Sequence, residues 1–116
     1  MKTTQVIDAL GALAHEHRLA IFRLLVERGP AGLPAGKIAA RVGLVPSSLT
    51  FHLQNLQRAA LIAQRRESRQ LIYSADFTAM TSLVGYLTDN CCAESADECC
   101  PPARQPKAGK RTAKAA

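Results

Sequence analysis

Cys91-Cys92 and Cys99-Cys100 are the only thiols in the chain, two adjacent pairs with six residues between them. Thiolates are soft, polarizable donors. In a reducing compartment, paired cysteines serve as metal ligands or redox groups more often than as structural disulfides. Zinc is usually held through Cys-x-x-Cys turns that aim two sulfurs inward, so adjacent pairs suit a soft metal or metalloid centre more naturally. Glu94, Asp97 and Glu98 lie among the thiols and disfavour a free thiolate by repulsion, which points to ligand binding rather than nucleophilic reactivity. A redox enzyme would need a helix N-terminal Cys-x-x-Cys, a nucleophile loop or an anion cradle, and none accompanies these cysteines. The chain therefore reads as a non-enzyme, with redox sensing or simple metal storage as the alternatives. His15 and His17 form a second small cluster. With no third ligand near them in sequence, capping or packing describes them better than metal binding.

The elements that would position these groups follow from apolar spacing. Val6, Leu10 and Leu13 recur at helical intervals over residues 4–14, and Ile21, Leu24 and Leu25 do so over 17–27, where Gly29-Pro30 ends the helix. A short helix over 34–42 stops at Gly43. Residues 45–61 place Leu49, Leu53, Leu56 and Ala60 on one stripe and Ser47, Ser48, Phe51, Asn55 and Arg58 on the other. A short helix, a tight turn and a second amphipathic helix make a helix-turn-helix, whose second helix can enter the major groove. Strand-like runs at 61–66 and 70–74 flank Glu67-Ser68-Arg69, a hairpin with Arg65, Arg66 and Arg69 near its tip. A last amphipathic helix over 77–90 carries Met80, Leu83, Val84 and Leu87, with Ser74 or Asp76 as its N-cap. The fold class is thus mainly α with a small β-hairpin, a winged helix. Apolar helices at both ends can pair across a twofold axis into a homodimer.

Charge agrees with that architecture. The chain carries a net +6, but residues 37–69 hold Lys37, Arg41, Arg58, Arg65, Arg66 and Arg69 against Glu67 alone. A basic middle suits a polyanion, here double-stranded DNA. Residues 1–92 form the expected DNA-binding and dimerisation domain, 91–100 the cysteine segment, and 101–116 a basic tail too polar to bury a core and expected to be disordered. No stretch approaches the roughly 20 apolar residues of a membrane span, and the N-terminus has no signal-peptide layout, so the expected location is cytoplasmic.

The run Gly43-Leu44-Val45-Pro46-Ser47-Ser48-Leu49-Thr50-Phe51-His52-Leu53-Gln54-Asn55-Leu56, then Ala59-Ala60-Leu61-Ile62 and the segment from Arg65 to Tyr73, resembles the helix-turn-helix and wing of the ArsR/SmtB family of metal-responsive repressors. Leu13-Ala14-His15-Glu16-His17-Arg18-Leu19 is similar to that family's entry into its second helix. The resemblance covers residues 4–90. It implies a homodimeric winged-helix repressor, joined through its first and last helices, that leaves a palindromic operator when metal or metalloid binds. It also places Ser47 and Thr50 at DNA-touching positions and matches His52 to a family histidine, which either packs against the core or reads a base. Phe51 replaces a polar residue and either meets a thymine methyl or flanks the core. Ala60 stands where many members have a glycine-containing turn.

The family's cysteine motif in the helix before recognition has no counterpart in residues 32–38, and residues 76–90 lack the histidines of its zinc sensors. The cysteine pairs instead resemble those of arsenite-responsive members, whose thiols lie beyond the last helix. That resemblance implies As(III) or Sb(III) on Cys91, Cys92 and one of Cys99 or Cys100, with Zn(II) or Cd(II) on the thiolates as the alternative.

Overall fold

The computed structural model describes residues 1–94. The basic tail expected over 101–116 and the segment holding Cys99 and Cys100 lie outside the described residues.

Among the described residues, five helices and a small sheet follow in the order α1 (Thr3–Leu13), α2 (Glu16–Arg28), β1 (Leu33–Pro34), α3 (Ala35–Val42), α4 (Pro46–Arg58), β2 (Ile62–Glu67), β3 (Gln70–Ala75) and α5 (Phe77–Thr88). The helix-turn-helix is α3 and α4, and the wing is β2–β3. Each boundary has a local cause. His15 caps α2 by accepting the His17 N–H on Nδ1 at 3.2 Å, and Asp76 caps α5 by accepting from the Ala79 N–H at 3.0 Å. Gly43 ends α3 in the left-handed region, φ 73°, where a side chain would be strained. Pro46 opens α4 at a first-turn position whose missing N–H costs no hydrogen bond.

The end of α4 departs from the usual chemistry. The Leu61 N–H reaches the Leu56 carbonyl at 3.0 Å and the Ala60 N–H reaches Gln57 at 2.9 Å, the paired bonds of a Schellman motif. Leu56 and Leu61 are both fully buried, completing the motif's apolar contact. The left-handed residue, normally glycine, is Ala60 at φ 63°. The wing turn makes the same substitution, with Ser68 at φ 56°, which explains why no glycine marks it in the sequence.

The sheet has a third strand that apolar alternation gives no means of expecting. Residues Leu33 and Pro34 pair antiparallel with Tyr73 and Ile72, giving the order β1-β3-β2. A two-residue strand has no period to detect, and Pro34 is tolerated because it sits at the sheet edge. Side chains of Ile21 and Leu25 from α2, Ile38 from α3, and Leu49 and Leu56 from α4 meet in one fully buried core. On α1 the buried residues are Val6 and Ala9, whereas Leu10, expected inside, is 41% exposed beside Ile7 at 61%. On α5 only Leu83 is buried, and Val84, Tyr86 and Leu87 face outward. Thr3 and Tyr86 join the two helices through a 2.8 Å hydroxyl contact. The outer helices thus share an uncovered apolar face.

Candidate nucleic-acid interface

The back of α4 is anchored by Leu49, Leu53 and Leu56, all buried. This fixes which residues face out. Ser47, Thr50, Phe51, Gln54 and Arg58 are exposed, and Ser48 and Asn55 are half-buried at the margins. Phe51 is 59% exposed and therefore does not flank the core. Two polar side chains are partly committed to the helix itself. Thr50 donates its hydroxyl to the Pro46 carbonyl at 3.0 Å, and Asn55 donates Nδ2 to the Phe51 carbonyl at 2.9 Å. The N-cap residue Val45 offers no side-chain acceptor, so the first N–H groups of α4 are left for water or a backbone phosphate.

Sequence reasoning overlooks Gln54 as a groove-facing candidate. Its signal is nonetheless present, since it lies three residues after Phe51 and four after Thr50, on the same face.

The family resemblance leaves His52 either packed against the core or reading a base, and it is buried, 8% exposed, on the inner side of α4. The three histidines of the chain meet there. The His15 and His52 ring centroids are 4.7 Å apart, and His17 lies 5.7 and 5.8 Å from them. Arg18 threads this cluster, donating Nε to the Ala12 carbonyl at 2.8 Å and placing Nη1 3.4 Å from His52 Nδ1. Burial first, then the charges of His15, Arg18 and His17, holds His52 below its ordinary pKa of 6.5. His52 is a packed, neutral-favouring imidazole that seats α4 on the α1–α2 junction.

The wing arginines divide in the same way. Arg65 donates to the carbonyls of Pro30 and Ala31 at 3.2 and 2.8 Å and to Glu67 at 2.7 Å. Its guanidinium is occupied in tying the wing base to the loop after α2. Arg66 and Arg69 are exposed on the outer half of the hairpin, and the Arg65–Glu67 pair is the one salt bridge among the described residues. Lys37, Arg41 and Arg58 are exposed too. The result is a protruding helix face flanked by uncompensated cations, suited to phosphate contacts on both sides of a groove.

Cys91 and Cys92 lie just beyond α5, separated from its last residue, Thr88, by Asp89 and Asn90. Cys91 is exposed, Cys92 is half-buried with φ 58°, and their sulfurs are 3.6 Å apart. Among the described residues, no group of three or more His, Cys, Asp or Glu side chains is arranged to hold a metal ion, the histidine cluster included. No helix among them is long and apolar enough to cross a membrane.

Comparison with known proteins agrees with this geometry. A helix-turn-helix domain model matches residues 13–65. Nodulation protein NolR of Rhizobium meliloti is 35% identical over 80 residues, 69% of this chain, and the chain spans 63% of that protein's length. The HTH-type transcriptional regulator YceK of Bacillus subtilis is 35% identical over 77 residues, covering 66% of this chain and 76% of YceK. Among solved structures, the homodimeric winged helix-turn-helix DNA-binding domain Mb0332 of Mycobacterium bovis, described as a possible ArsR-family regulator, superposes with a TM-score of 0.60. It is 29% identical and covers 75% of this chain and 81% of that one. With its wing, its exposed recognition face and these relatives, the chain belongs to the helix-turn-helix transcriptional regulators, and it has the winged fold seen in Mb0332.

Proposed function

We propose that the chain is a homodimeric repressor that binds a palindromic operator and leaves it when trivalent arsenic or antimony is captured by Cys91, Cys92 and one of Cys99 or Cys100. The observation that carries the sensor half is the 3.6 Å separation of the Cys91 and Cys92 sulfurs, separated from the end of α5 by two residues. Two sulfurs that close can bind one soft ion, the class of centre that thiolate ligands favour. The third sulfur would come from beyond residue 94.

The apolar face of Ile7, Leu10, Val84 and Leu87 supports pairing of two copies through α1 and α5. Ligand capture beside that face would act on the spacing of the two α4 helices. A ligand shifts such an equilibrium only through differential affinity, so the three-thiolate site must form better in the DNA-free arrangement.

The test is release of operator-bound protein, followed by anisotropy during titration with arsenite, antimonite, zinc and cadmium. Arsenite or antimonite should release the wild-type protein. Cys91→Ser and Cys92→Ser should bind the operator normally and stay bound at the same dose. Release of these variants at unchanged arsenite concentration overturns the assignment, and release by zinc or cadmium alone transfers the site to those ions.

A further inference from the structure

The exposed face of α4 combines side chains that match one kind of base pair. Phe51 is 59% exposed on a helix whose other large apolar residues, Leu49, Leu53 and Leu56, are buried. Its ring is held edge-on to His52, 5.6 Å between centroids at 61°, and His52 is itself fixed in the histidine cluster. An exposed phenyl ring costs solvation without any benefit to this core. Three residues on, Gln54 is exposed and its amide makes no hydrogen bond to another described side chain or carbonyl, unlike its neighbours Thr50 and Asn55, which are tied to the helix backbone. Between Pro46 and Gln57 the helix has no arginine or lysine, and Arg58 stands at its C-terminal end.

In the major groove these side-chain types read different edges. A phenyl ring packs on the thymine C5-methyl, a glutamine amide pairs bidentately with adenine N6 and N7, and guanine is read chiefly by arginine or lysine. We infer that α4 reads A·T pairs, with Phe51 on a thymine methyl and Gln54 on an adenine of the same or the adjacent pair, and that Arg58, Arg66 and Arg69 supply phosphate contacts rather than guanine readout. This rests on the DNA-binding reading above and adds the base preference of the half-site.

The test uses the full chain and a duplex selected from a random pool. Base analogues then replace single groups. Replacing one thymine with deoxyuridine removes only the methyl and should weaken wild-type binding about fourfold, the worth of one buried methyl-sized group. Replacing the adjacent adenine with 7-deazaadenine removes N7 and should cost about fivefold or more. Phe51→Ala should abolish the thymine/uracil difference and keep the adenine one, while Gln54→Ala should do the reverse. Both positions are exposed, so neither variant threatens the fold, and circular dichroism checks this. Specific binding by wild type with no methyl penalty at any thymine, or with the penalty retained in Phe51→Ala, overturns the base assignment and leaves the DNA-binding reading intact. Selection of no preferred duplex at all overturns both.

Discussion

Arg18 Nη1 lies 3.4 Å from His52 Nδ1, joining the start of α2 to the inner side of the recognition helix. A guanidinium can only donate, so Nδ1 accepts and the imidazole proton belongs on Nε2. Protonating His52 would turn this contact into a repulsion beside His15 and His17. Because burial and these charges lower its pKa in the folded state, the unfolded chain takes up the proton first as pH falls. The contribution is fully present above 6.5, the unfolded-state value, and is lost as pH drops from there toward the depressed folded value. Urea denaturation should show stability declining on acidification through this window. His52→Gln should flatten that decline, and an unchanged slope would assign the acid sensitivity elsewhere.

Ala60 occupies the left-handed position of the Schellman motif that ends α4. An L-residue there carries about 1 kcal/mol of strain, and glycine returns about half of that gain through greater freedom of the unfolded chain. Ala60→Gly should therefore raise stability slightly, by about 0.5 kcal/mol, with operator affinity unchanged. A decrease in stability would show that the Ala60 methyl makes a contact outweighing its strain.

Gly32 has φ 68°, and a Cβ there would strike the Tyr73 carbonyl oxygen and come within 2.9 Å of Ile72 Cγ2. Gly32→Ala should cost about 3 kcal/mol, combining backbone strain with overpacking. The damage should centre on the β1–β3 pairing and on the Arg28 bond to the Gly32 carbonyl at 3.0 Å. Hydrogen exchange at Tyr73 and its neighbours checks the location, and full protection there would contradict it.

Val84 and Leu87 are 56% and 58% exposed on α5. Placing aspartate at both should leave the monomer fold intact, because neither side chain enters the core, and shift the proposed homodimer to monomer in sedimentation velocity. An unchanged dimer would move the interface away from α5. Affinity for the proposed palindromic operator should fall in parallel, since its two half-sites could no longer be engaged together.

Much of this architecture is legible from local pattern. Gly43, Pro46 and the leucine stripe of α4 mark the helix-turn-helix because each acts on its own few neighbours. Features that depend on distant partners are not. The β1 strand exists only through its pairing with residues almost forty positions later, and Arg65 looks like a DNA contact until its partners, the carbonyls of Pro30 and Ala31, are seen. Likewise, helical spacing puts Leu10 inside, but α1 turns Val6 and Ala9 inward and leaves Leu10 out, since an apolar helix with two candidate faces cannot show which one meets the core. His52 sits at the border of the buried stripe, and only the positions of His15 and Arg18 decide its side.

DNA binding by α4 and the wing depends on the cations left exposed around them. Its most direct measurement is the salt dependence of affinity for a selected duplex, comparing wild type with Arg66→Ala/Arg69→Ala. Each neutralised phosphate adds about 0.9 to the slope of log affinity against log salt. The wild type should show a steep negative slope. The double variant should be shallower by about 0.9 for each phosphate it no longer engages, with Arg65→Ala acting instead through wing stability. Identical slopes for wild type and double variant, or wild-type binding that does not weaken with salt, would show that these cations do not carry the DNA contact.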